Sequence, residues 1–244
     1  MNILINGAGG RMGRALTAMI AKGCRNAVLA GAVDPFVREE GILPSLADFE
    51  GSAHCIIDFS NHEGTRALLD YAVAKGLPVV ICTTGHTEEE LSAIRAAAEQ
   101  IPLFHSGNMS LGIAVLTQLV RKAAAMFPDA DIEIVESHHN QKLDVPSGTA
   151  LMLARAVQDS RPGSNLLVGR HENGKRTRQE IGIHSLRMGS TVGIHEVIIN
   201  TGTQVITLKH EAQDRSLFAE GALSAAAFLI GKAPGLYTMD DIVE

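Results

Sequence analysis

Short apolar runs alternate with amphipathic segments through the first part of the chain. Buried strands are predicted at the apolar runs, which cover residues 3–5, 28–33, 55–59, 78–82 and 102–104. Helices are predicted between them, where apolar side chains recur every three or four positions, at residues 11–21, 64–75 and 87–99. Strands that alternate with helices in this order predict an α/β fold with a Rossmann-like, doubly wound parallel sheet.

The pattern changes near residue 106, where a second part of the chain begins. Helices are predicted at residues 111–126 and 147–158, and strands at residues 131–136, 181–188, 193–200 and 204–210. Residues 160–180 are predicted to form a loop, because prolines and glycines recur there. These elements predict a second, α+β domain with an open sheet that is mixed or antiparallel. An alanine-rich helix at 216–229 is able to pack back on the first domain.

The composition excludes several function classes. Acidic residues number 27 against 21 lysines and arginines, the net charge is −6 and tryptophan is absent, so nucleic-acid binding is not expected. No apolar stretch approaches the length of a membrane helix, and the short run after Met1 leaves no room for a signal peptide. The three cysteines, Cys24, Cys55 and Cys82, are widely separated, which argues against a disulfide framework. We therefore expect a soluble, cytoplasmic protein without membrane contacts.

A glycine-rich turn joins the first predicted strand to the first predicted helix. Gly7, Gly10 and Gly13 follow the pattern G-x-x-G-x-x-G, and such glycines let the backbone approach a pyrophosphate at the start of a helix. Asp34 ends the second strand, where a carboxylate accepts hydrogen bonds from adenosine ribose hydroxyls. We interpret this unit as a dinucleotide site. A structural turn beside a surface aspartate is the alternative.

Other turns at the same edge of the predicted sheet are further candidates, because ligands of such sheets bind beyond the carboxyl ends of the strands. The candidate cofactor contacts are Arg11 and Met12 in the glycine turn, Phe59 and Ser60 after the third strand, Cys82, Thr83 and Thr84 after the fourth, and Ser106, Asn108 and Met109 at the domain junction. Each could meet ribose or nicotinamide. The turns after the third and fourth strands could equally be ordinary turns, and the junction could be a hinge.

Residues 133–150 hold the densest group of reactive side chains. A predicted strand leads to His138 and His139, and Lys142 adds a positive charge. A helix is then predicted to start with N–H groups and hydroxyls that suit a carboxylate, at Ser147, Gly148 and Thr149. Histidine moves protons near neutral pH, so an anion site beside it suits the reduction of an anionic small molecule.

Other interpretations of this segment stay open. Glu136 and Asp144 could hold a metal ion together with the two histidines, but an HExxH motif and a third clustered histidine are missing, so no metal site is predicted. Ser147 could be only a helix cap, and Asp144 fits an ion pair or a loop contact better than a catalytic base. The whole segment could also be a polar loop.

Residues 133–150 also resemble the signature of the 4-hydroxy-tetrahydrodipicolinate reductase family. The family pattern has E, I or V, x, E, x, H, three residues, K, x, D, x and then PSGTA, and the segment from Glu133 to Ala150 fills every specified place. Further resemblances occur at residues 7–14, 58–60, 63–65, 83–85 and 108–112. The resemblance therefore covers nearly the whole chain.

The resemblance implies an NADH- or NADPH-dependent oxidoreductase. Such an enzyme reduces 4-hydroxy-tetrahydrodipicolinate, a small dicarboxylate, to tetrahydrodipicolinate with loss of water, in the diaminopimelate route to lysine. The resemblance further implies that His138 donates the proton and Lys142 assists. Substrate contacts are implied at His139, Lys142, Ser147, Gly148 and Thr149.

The resemblance also implies an organisation. Members are typically cytoplasmic homotetramers with two domains. The boundaries predicted here are 1–108 and 216–244 for the dinucleotide-binding domain, and 109–215 for the substrate-binding and oligomerisation domain. We expect the glycine turn and the His138–Lys142 pair to face each other across one cleft.

The nucleotide preference is less constrained by the sequence. Asp34 favours a free 2′-hydroxyl and hence NADH, and Pro35 follows where a basic residue would help to bind a 2′-phosphate. Arg11, Arg14 or Arg38 could still bind one, so NADH or dual use is expected. The alternative function is another two-domain NAD(P)-dependent dehydrogenase, of the aspartate-dehydrogenase type, against which the signature argues.

Overall fold

Two compact units make up the fold of this computed structural model, which describes residues 1–243. Unit 1 consists of Met1–Ser110 and Ser216–Ile242, and unit 2 consists of Leu111–Arg215 with Val243. Each unit is built on a sheet of its own. Among residues 1–243, none of the helices combines the length and the apolar character that crossing a bilayer requires.

Unit 1 contains a seven-stranded sheet in which every pair of neighbouring strands is parallel. Its strands are β1 (Asn2–Asn6), β2 (Val28–Val33), β3 (Ile42–Leu43), β4 (Cys55–Asp58), β5 (Val79–Ile81), β6 (Pro102–His105) and β12 (Gly235–Tyr237). The strand order is β12-β6-β5-β4-β1-β2-β3. Every residue of β4 and β5 is buried, as expected of strands that are covered on both faces. The predicted doubly wound parallel sheet is therefore confirmed.

Helices cover this sheet and carry the connections between its strands. They are α1 (Arg11–Ala21), α2 (Thr65–Lys75), α3 (Glu88–Ala98) and α6 (Ser216–Leu229). A capping box formed by Thr87 and Glu90 starts α3. The alanine-rich α6 packs on β4, β5 and β6 and on α1. Eight residues of α6 are buried, and its small alanine side chains allow this close approach.

Unit 2 contains a five-stranded mixed sheet with two helices. Its elements are α4 (Leu111–Met126), β7 (Asp131–His138), α5 (Gly148–Ser160), β8 (Asn165–Val168), β9 (Glu180–Arg187), β10 (Gly193–Asn200) and β11 (Val205–Ala212). The strand order is β11-β10-β7-β9-β8. β10 runs antiparallel to β7 and β11, whereas β9 is parallel to β7 and β8, so the sheet is mixed, one of the two predicted forms.

The core of unit 2 lies between its helices and one face of the sheet. Alternate strand residues point to this face, and they pack against apolar side chains of α4 and α5. The fully buried members of this core include Val120, Leu153, Val157, Ile132, Ile134, Ile183 and Val197. Glu136, His138 and His195 share the same alternation, so a polar cluster continues the apolar core along β7 and β10.

Some strands differ from the prediction. Residues 160–180 were predicted as a loop, and this was wrong because β8 lies within them, paired with β9. The pairing is non-local, and a four-residue edge strand among prolines and glycines carries little periodicity of its own. The short edge strands β3 and β12 escaped prediction for the same reason. β7 runs two residues beyond its predicted end and so includes His138.

Candidate active site

The glycine turn of unit 1 is shaped by close backbone contacts. Gly7 has a φ of +80°, and a Cβ placed on it would lie 2.6 Å from the carbonyl oxygen of Phe59. A Cβ on Gly13 would lie 2.2 Å from the carbonyl oxygen of Gly7. Backbone N–H groups of Gly7 and Ala8 both donate to the carbonyl of Val33. Glycine is therefore required at positions 7 and 13 to fold the turn tightly between two strands and a helix.

The helix that follows this turn presents a site for an anion. Gly10 caps α1 without any side-chain hydrogen bond, and the first turn of the helix has no acidic residue. The positive end of the helix dipole therefore meets no negative side chain from α1 itself. A cavity of about 740 Å³ lies beside it, lined by Gly7, Gly10, Asp34, Phe59 and Ser60 among others. These five belong to the predicted cofactor contacts, and the rings of Phe36 and Tyr71 add apolar surface.

The carboxylate of Asp34 is held rigidly at the end of β2. Its Oδ2 accepts from the Gly9 N–H at 3.0 Å and its Oδ1 from the Phe36 N–H at 2.9 Å. Each oxygen has a second lone pair that can accept a hydroxyl. Nearby, Arg14 is committed to a two-pronged ion pair with Glu39, with N–O distances of 3.1 and 2.6 Å.

Asp58 is a buried residue that accepts several hydrogen bonds, and it was not predicted as a site residue. It is 1% exposed at the end of β4. Its carboxylate accepts hydrogen bonds from Asn6 Nδ2 at 2.8 Å, Ser60 Oγ at 2.6 Å and Thr83 Oγ1 at 2.6 Å. Asp58 thus ties together the turns that follow β1, β4 and β5. The sequence feature that could have identified Asp58 is an acidic residue at the end of an apolar strand, shortly before a serine.

The remaining predicted cofactor residues lie at the carboxyl end of the same sheet or in the glycine turn. Cys82 is buried, which raises the pKa of its thiol well above the ordinary value, and Thr84 beyond it is exposed. Ser106 donates its hydroxyl to the carbonyl of Asn108 at 2.8 Å. The backbone of Met109 rests against α6, since a Cβ at Gly221 would lie 1.6 Å from its carbonyl oxygen. Arg11 is exposed and Met12 is half-buried.

In unit 2 the predicted reactive residues gather around Glu136. This side chain is fully buried on β7, and its Oε2 lies 2.5 Å from Nδ1 of His138. Arg187 on β9 binds both carboxylate oxygens, at 2.9 and 2.7 Å. The backbone N–H of Ser147, at the start of α5, donates to Oε1 at 3.2 Å. One carboxylate therefore joins the histidine, a cation and a helix start.

The charges around this carboxylate set the protonation of the pair. Burial raises the pKa of Glu136, but hydrogen bonds from Arg187, His138 and other neighbours outweigh it and hold the pKa at about 2. Burial lowers the pKa of His138, and Glu136 offsets part of that effect. Because Nδ1 faces Glu136, Nε2 is the ring nitrogen that is left for a further partner. A Cβ at Gly193 would lie 3.1 Å from this Nε2, so glycine leaves room there.

The loop that follows His138 carries the lysine. Lys142 Nζ forms an ion pair with Asp144 at 2.8 Å, and this pair lowers the pKa of Asp144. The role that the sequence favoured for Asp144, an ion pair, matches this contact. Arg187 donates to the carbonyl of Asp144 at 2.7 Å, which fixes the loop beside the buried carboxylate. The carbonyl of His139 accepts from the Lys142 N–H at 3.1 Å, and the His139 side chain is half-exposed.

The start of α5 completes the group of residues around Glu136. Ser147 is 2% exposed and caps the helix, since its Oγ accepts from the Ala150 N–H at 3.2 Å. Gly148 is exposed, Thr149 is half-buried and the first turn has no acidic residue. His195 on β10, which the sequence reading missed, lies with Nε2 3.1 Å from Ser147 Oγ. A histidine, a lysine and a helix start thus converge in a group that can bind a carboxylate and move a proton.

Comparisons with known proteins show which family and fold the chain resembles. The family model "Dihydrodipicolinate reductase, N-terminus" matches residues 1–109, and "Dihydrodipicolinate reductase, C-terminus" matches residues 112–243. A 4-hydroxy-tetrahydrodipicolinate reductase from Caldanaerobacter subterraneus is 44% identical over 247 residues, covering 100% of this chain and 98% of that protein. One from Clostridium novyi is 40% identical, covering 99% and 98%. A solved structure, dipicolinate-bound dihydrodipicolinate reductase from Paenisporosarcina sp. TG-14, shares the fold with a TM-score of 0.82 at 24% identity, covering 99% of both chains.

Proposed function

Because the chain belongs to the dihydrodipicolinate reductase family, we propose a division of that family's reaction between its two units. The chain catalyses the NAD(P)H-dependent reduction of 4-hydroxy-tetrahydrodipicolinate to tetrahydrodipicolinate in the diaminopimelate route of lysine biosynthesis. The family and the function predicted from residues 133–150 are thus confirmed. In the proposal, unit 1 holds the nucleotide, and unit 2 holds the substrate and supplies a proton.

The residues of unit 1 fit a dinucleotide. Gly7 and Gly13 have no room for a side chain, the uncapped start of α1 can receive a pyrophosphate, and a cavity of about 740 Å³ adjoins both. In the proposal Asp34 accepts hydrogen bonds from the adenosine ribose. The reduced nicotinamide, when bound, supplies a hydride. Phe59, Ser60 and the turn after β5 orient it, held in register by Asp58.

The nucleotide used by preference is proposed to be NADH. Asp34 offers a negative charge where a 2′-phosphate would add more. Arg14, which could compensate, already forms its two-pronged pair with Glu39. Arg38 donates to the backbone carbonyls of Pro35 and Val37. Both arginines are thus engaged before a nucleotide arrives.

The substrate is proposed to bind at the start of α5. Its carboxylates would accept hydrogen bonds from Ser147, Gly148 and Thr149 and would face the charge of Lys142. The Paenisporosarcina relative is described as bound to dipicolinate, a dicarboxylate of related shape, which supports a site of this chemistry. His139 lies in the turn between His138 and Lys142 and is proposed as a further contact of the substrate. Holding the ring in one orientation supplies much of the rate enhancement.

His138 is proposed to donate the proton. The ring first loses its hydroxyl group and a hydrogen of a neighbouring carbon as water, which forms a carbon–carbon double bond. The hydride then adds to one carbon of that double bond, and the proton from His138 Nε2 goes to the other. Glu136 holds Nδ1 and stabilises the imidazolium that must form before the donation. Burial keeps the pKa of His138 low in the free enzyme. A bound dianion beside Lys142 raises the pKa of His138, so substrate binding itself favours protonation of this histidine.

One observation carries this proposal: a buried carboxylate that binds His138, Arg187 and the start of α5 at once. The test is substrate-dependent NADH oxidation with freshly prepared synthase product, repeated with NADPH and over a range of pH. We expect higher kcat/KM with NADH. We also expect kcat/KM to fall as pH rises through the lowered pKa of His138, and kcat to fall only at a higher pH. No turnover of this substrate, or a rate that rises with pH, would refute the proposed roles.

The chain is further proposed to act as a homotetramer in the cytoplasm, with unit 2 carrying the contacts between copies. The resemblance to the family supports the tetramer. Cys24, Cys55 and Cys82 are free thiols, which supports a reducing compartment. Light scattering on the purified chain tests the mass, and a monomer mass at assay concentration would refute the tetramer. Cell fractionation tests the compartment, and recovery outside the cytosolic fraction would refute the location.

A further inference from the structure

His195 is a deeply buried histidine with one hydrogen-bonded ring nitrogen. It lies on β10 and is 4% exposed. Its Nε2 is 3.1 Å from Ser147 Oγ, whereas its Nδ1 has no hydrogen-bond partner among residues 1–243. Its ring packs edge-on against that of His138, with centroids 5.1 Å apart. A buried polar side chain next to the acid and the helix start calls for a physical explanation.

The position of its proton follows from these contacts. Burial and the nearby positive charges lower the pKa of His195 to about 4, so the ring is neutral at pH 7 and one nitrogen carries hydrogen. A proton on Nδ1 would leave a buried N–H without an acceptor, which is costly. A proton on Nε2 is used in the hydrogen bond to Ser147, and the unprotonated Nδ1 costs less. The Nε2–H tautomer is therefore favoured.

This tautomer determines what Ser147 can offer. A serine hydroxyl accepts two hydrogen bonds and donates one. Ser147 Oγ accepts from the Ala150 N–H at 3.2 Å and, in this tautomer, from His195 Nε2–H. Both acceptor positions are filled by protein donors, so the hydroxyl can act towards a ligand only as a donor.

We infer that His195 is a positioning residue that orients the Ser147 hydroxyl to donate to a substrate carboxylate. The inference rests on the proposed function, in which Ser147 binds that carboxylate. A carboxylate oxygen is purely an acceptor, and a donor-only hydroxyl selects it over a group that presents a donor at the same place, such as an amide NH2 or an ammonium. His195 thereby favours an acceptor group at this place without touching the substrate.

The test compares His195→Leu with His195→Gln in the full chain. Both variants lose the ring, but the glutamine amide can replace the Nε2–H donor, so their difference isolates that donor. We expect His195→Leu to raise the substrate KM, and the dissociation constant of pyridine-2,6-dicarboxylate, about fivefold above the values for His195→Gln. NADH affinity should be equal in the two. Circular dichroism and thermal unfolding verify that both variants are folded.

The same pair is then measured in a Ser147→Ala background. There the donor has no acceptor, so Leu and Gln at position 195 should give equal KM values. Equal KM values when Ser147 is retained, or a difference that persists in the Ser147→Ala background, would overturn the role of His195. If Ser147→Ala alone leaves dicarboxylate binding unchanged, the proposed carboxylate site itself fails, and this outcome is distinct from the other two.

Discussion

Replacing Glu136 by glutamine removes the charge that joins the parts of the proposed substrate site. The side chain is fully buried, so solvent does not screen its interactions. The drop in its pKa from 4.5 to about 2 corresponds to about 3 kcal/mol of favourable interaction in the folded state. Glutamine keeps the size but turns a donor toward either Arg187 or His138. We therefore expect Glu136→Gln to lower the free energy of unfolding by about 3 kcal/mol.

The measurement is urea unfolding at pH 7, at one fixed protein concentration, with Glu133→Gln as the matched control. Glu133 lies on the same strand, but it is partly exposed and pairs with Arg176 and His184. Its replacement should cost no more than about 1 kcal/mol. Because the folded pKa of Glu136 lies below its unfolded value, its contribution is complete above pH 4.5 and is lost as pH falls toward 2. The difference from wild type should therefore be the same at pH 8 and pH 6.

The same variant has a catalytic signature. Without the carboxylate the pKa of His138 falls further, so the pH dependence of kcat/KM should shift to lower pH, and kcat should fall about tenfold or more. Glu133→Gln should leave the pH profile in place. An unfolding free energy for Glu136→Gln that matches the control, with an unchanged profile, would refute the reasoning about this buried carboxylate.

Three further changes have defined outcomes. Gly13→Ala should cost more than about 2 kcal/mol and abolish tight NADH binding, measured by fluorescence titration, because its Cβ would collide with the backbone of Gly7. Glu39→Gln should release Arg14 and lower the KM for NADPH about fivefold with little change for NADH, measured by steady-state kinetics. In the wild type, His195 should lower the free energy of unfolding by about 2 kcal/mol between pH 7 and pH 5, because it stays neutral in the folded state down to about pH 4 but is protonated in the unfolded chain. His195→Gln should abolish this loss, measured by urea unfolding at the two pH values.

Each of these three predictions has a control or a result that would contradict it. Gly64→Ala is the control for the glycine change, since a Cβ there meets open space, and equal stability of the two variants would contradict the steric reasoning. An unchanged NADPH KM in Glu39→Gln would mean that Arg14 does not reach the 2′ position. For His195, the sign is fixed: a lowered folded pKa costs stability as pH falls below 6.5, so wild type must lose more than the variant on acidification.

Local patterns predicted the regular elements well. α1, α4, α6, β2 and β10 begin and end where the periodicity placed them, because the residues that define these elements are contiguous. β3, β8 and β12 were missed, because they are short strands in which no residue is buried, and they form through pairing with a distant neighbour. The parallel sheet of unit 1 followed from the alternation of strands and helices.

The candidate site divides in the same way. His138, Lys142 and Ser147 were found because they stand within one short segment of recognisable spacing. Arg187 and His195 were not, because they reach that segment from β9 and β10, through the register that pairs Arg187 with His138 and His195 with Glu136. A basic residue near the end of one strand and a histidine in another carry no local signal of this convergence.

The proton-donor role of His138 is tested most directly by His138→Gln, with kcat for the substrate measured beside the affinities for NADH and pyridine-2,6-dicarboxylate. We predict that kcat falls at least about a hundredfold, while both affinities stay within about threefold of wild type. A variant that turns over at nearly the wild-type rate, or one whose loss of rate is matched by a loss of nucleotide or dicarboxylate binding, would contradict this role.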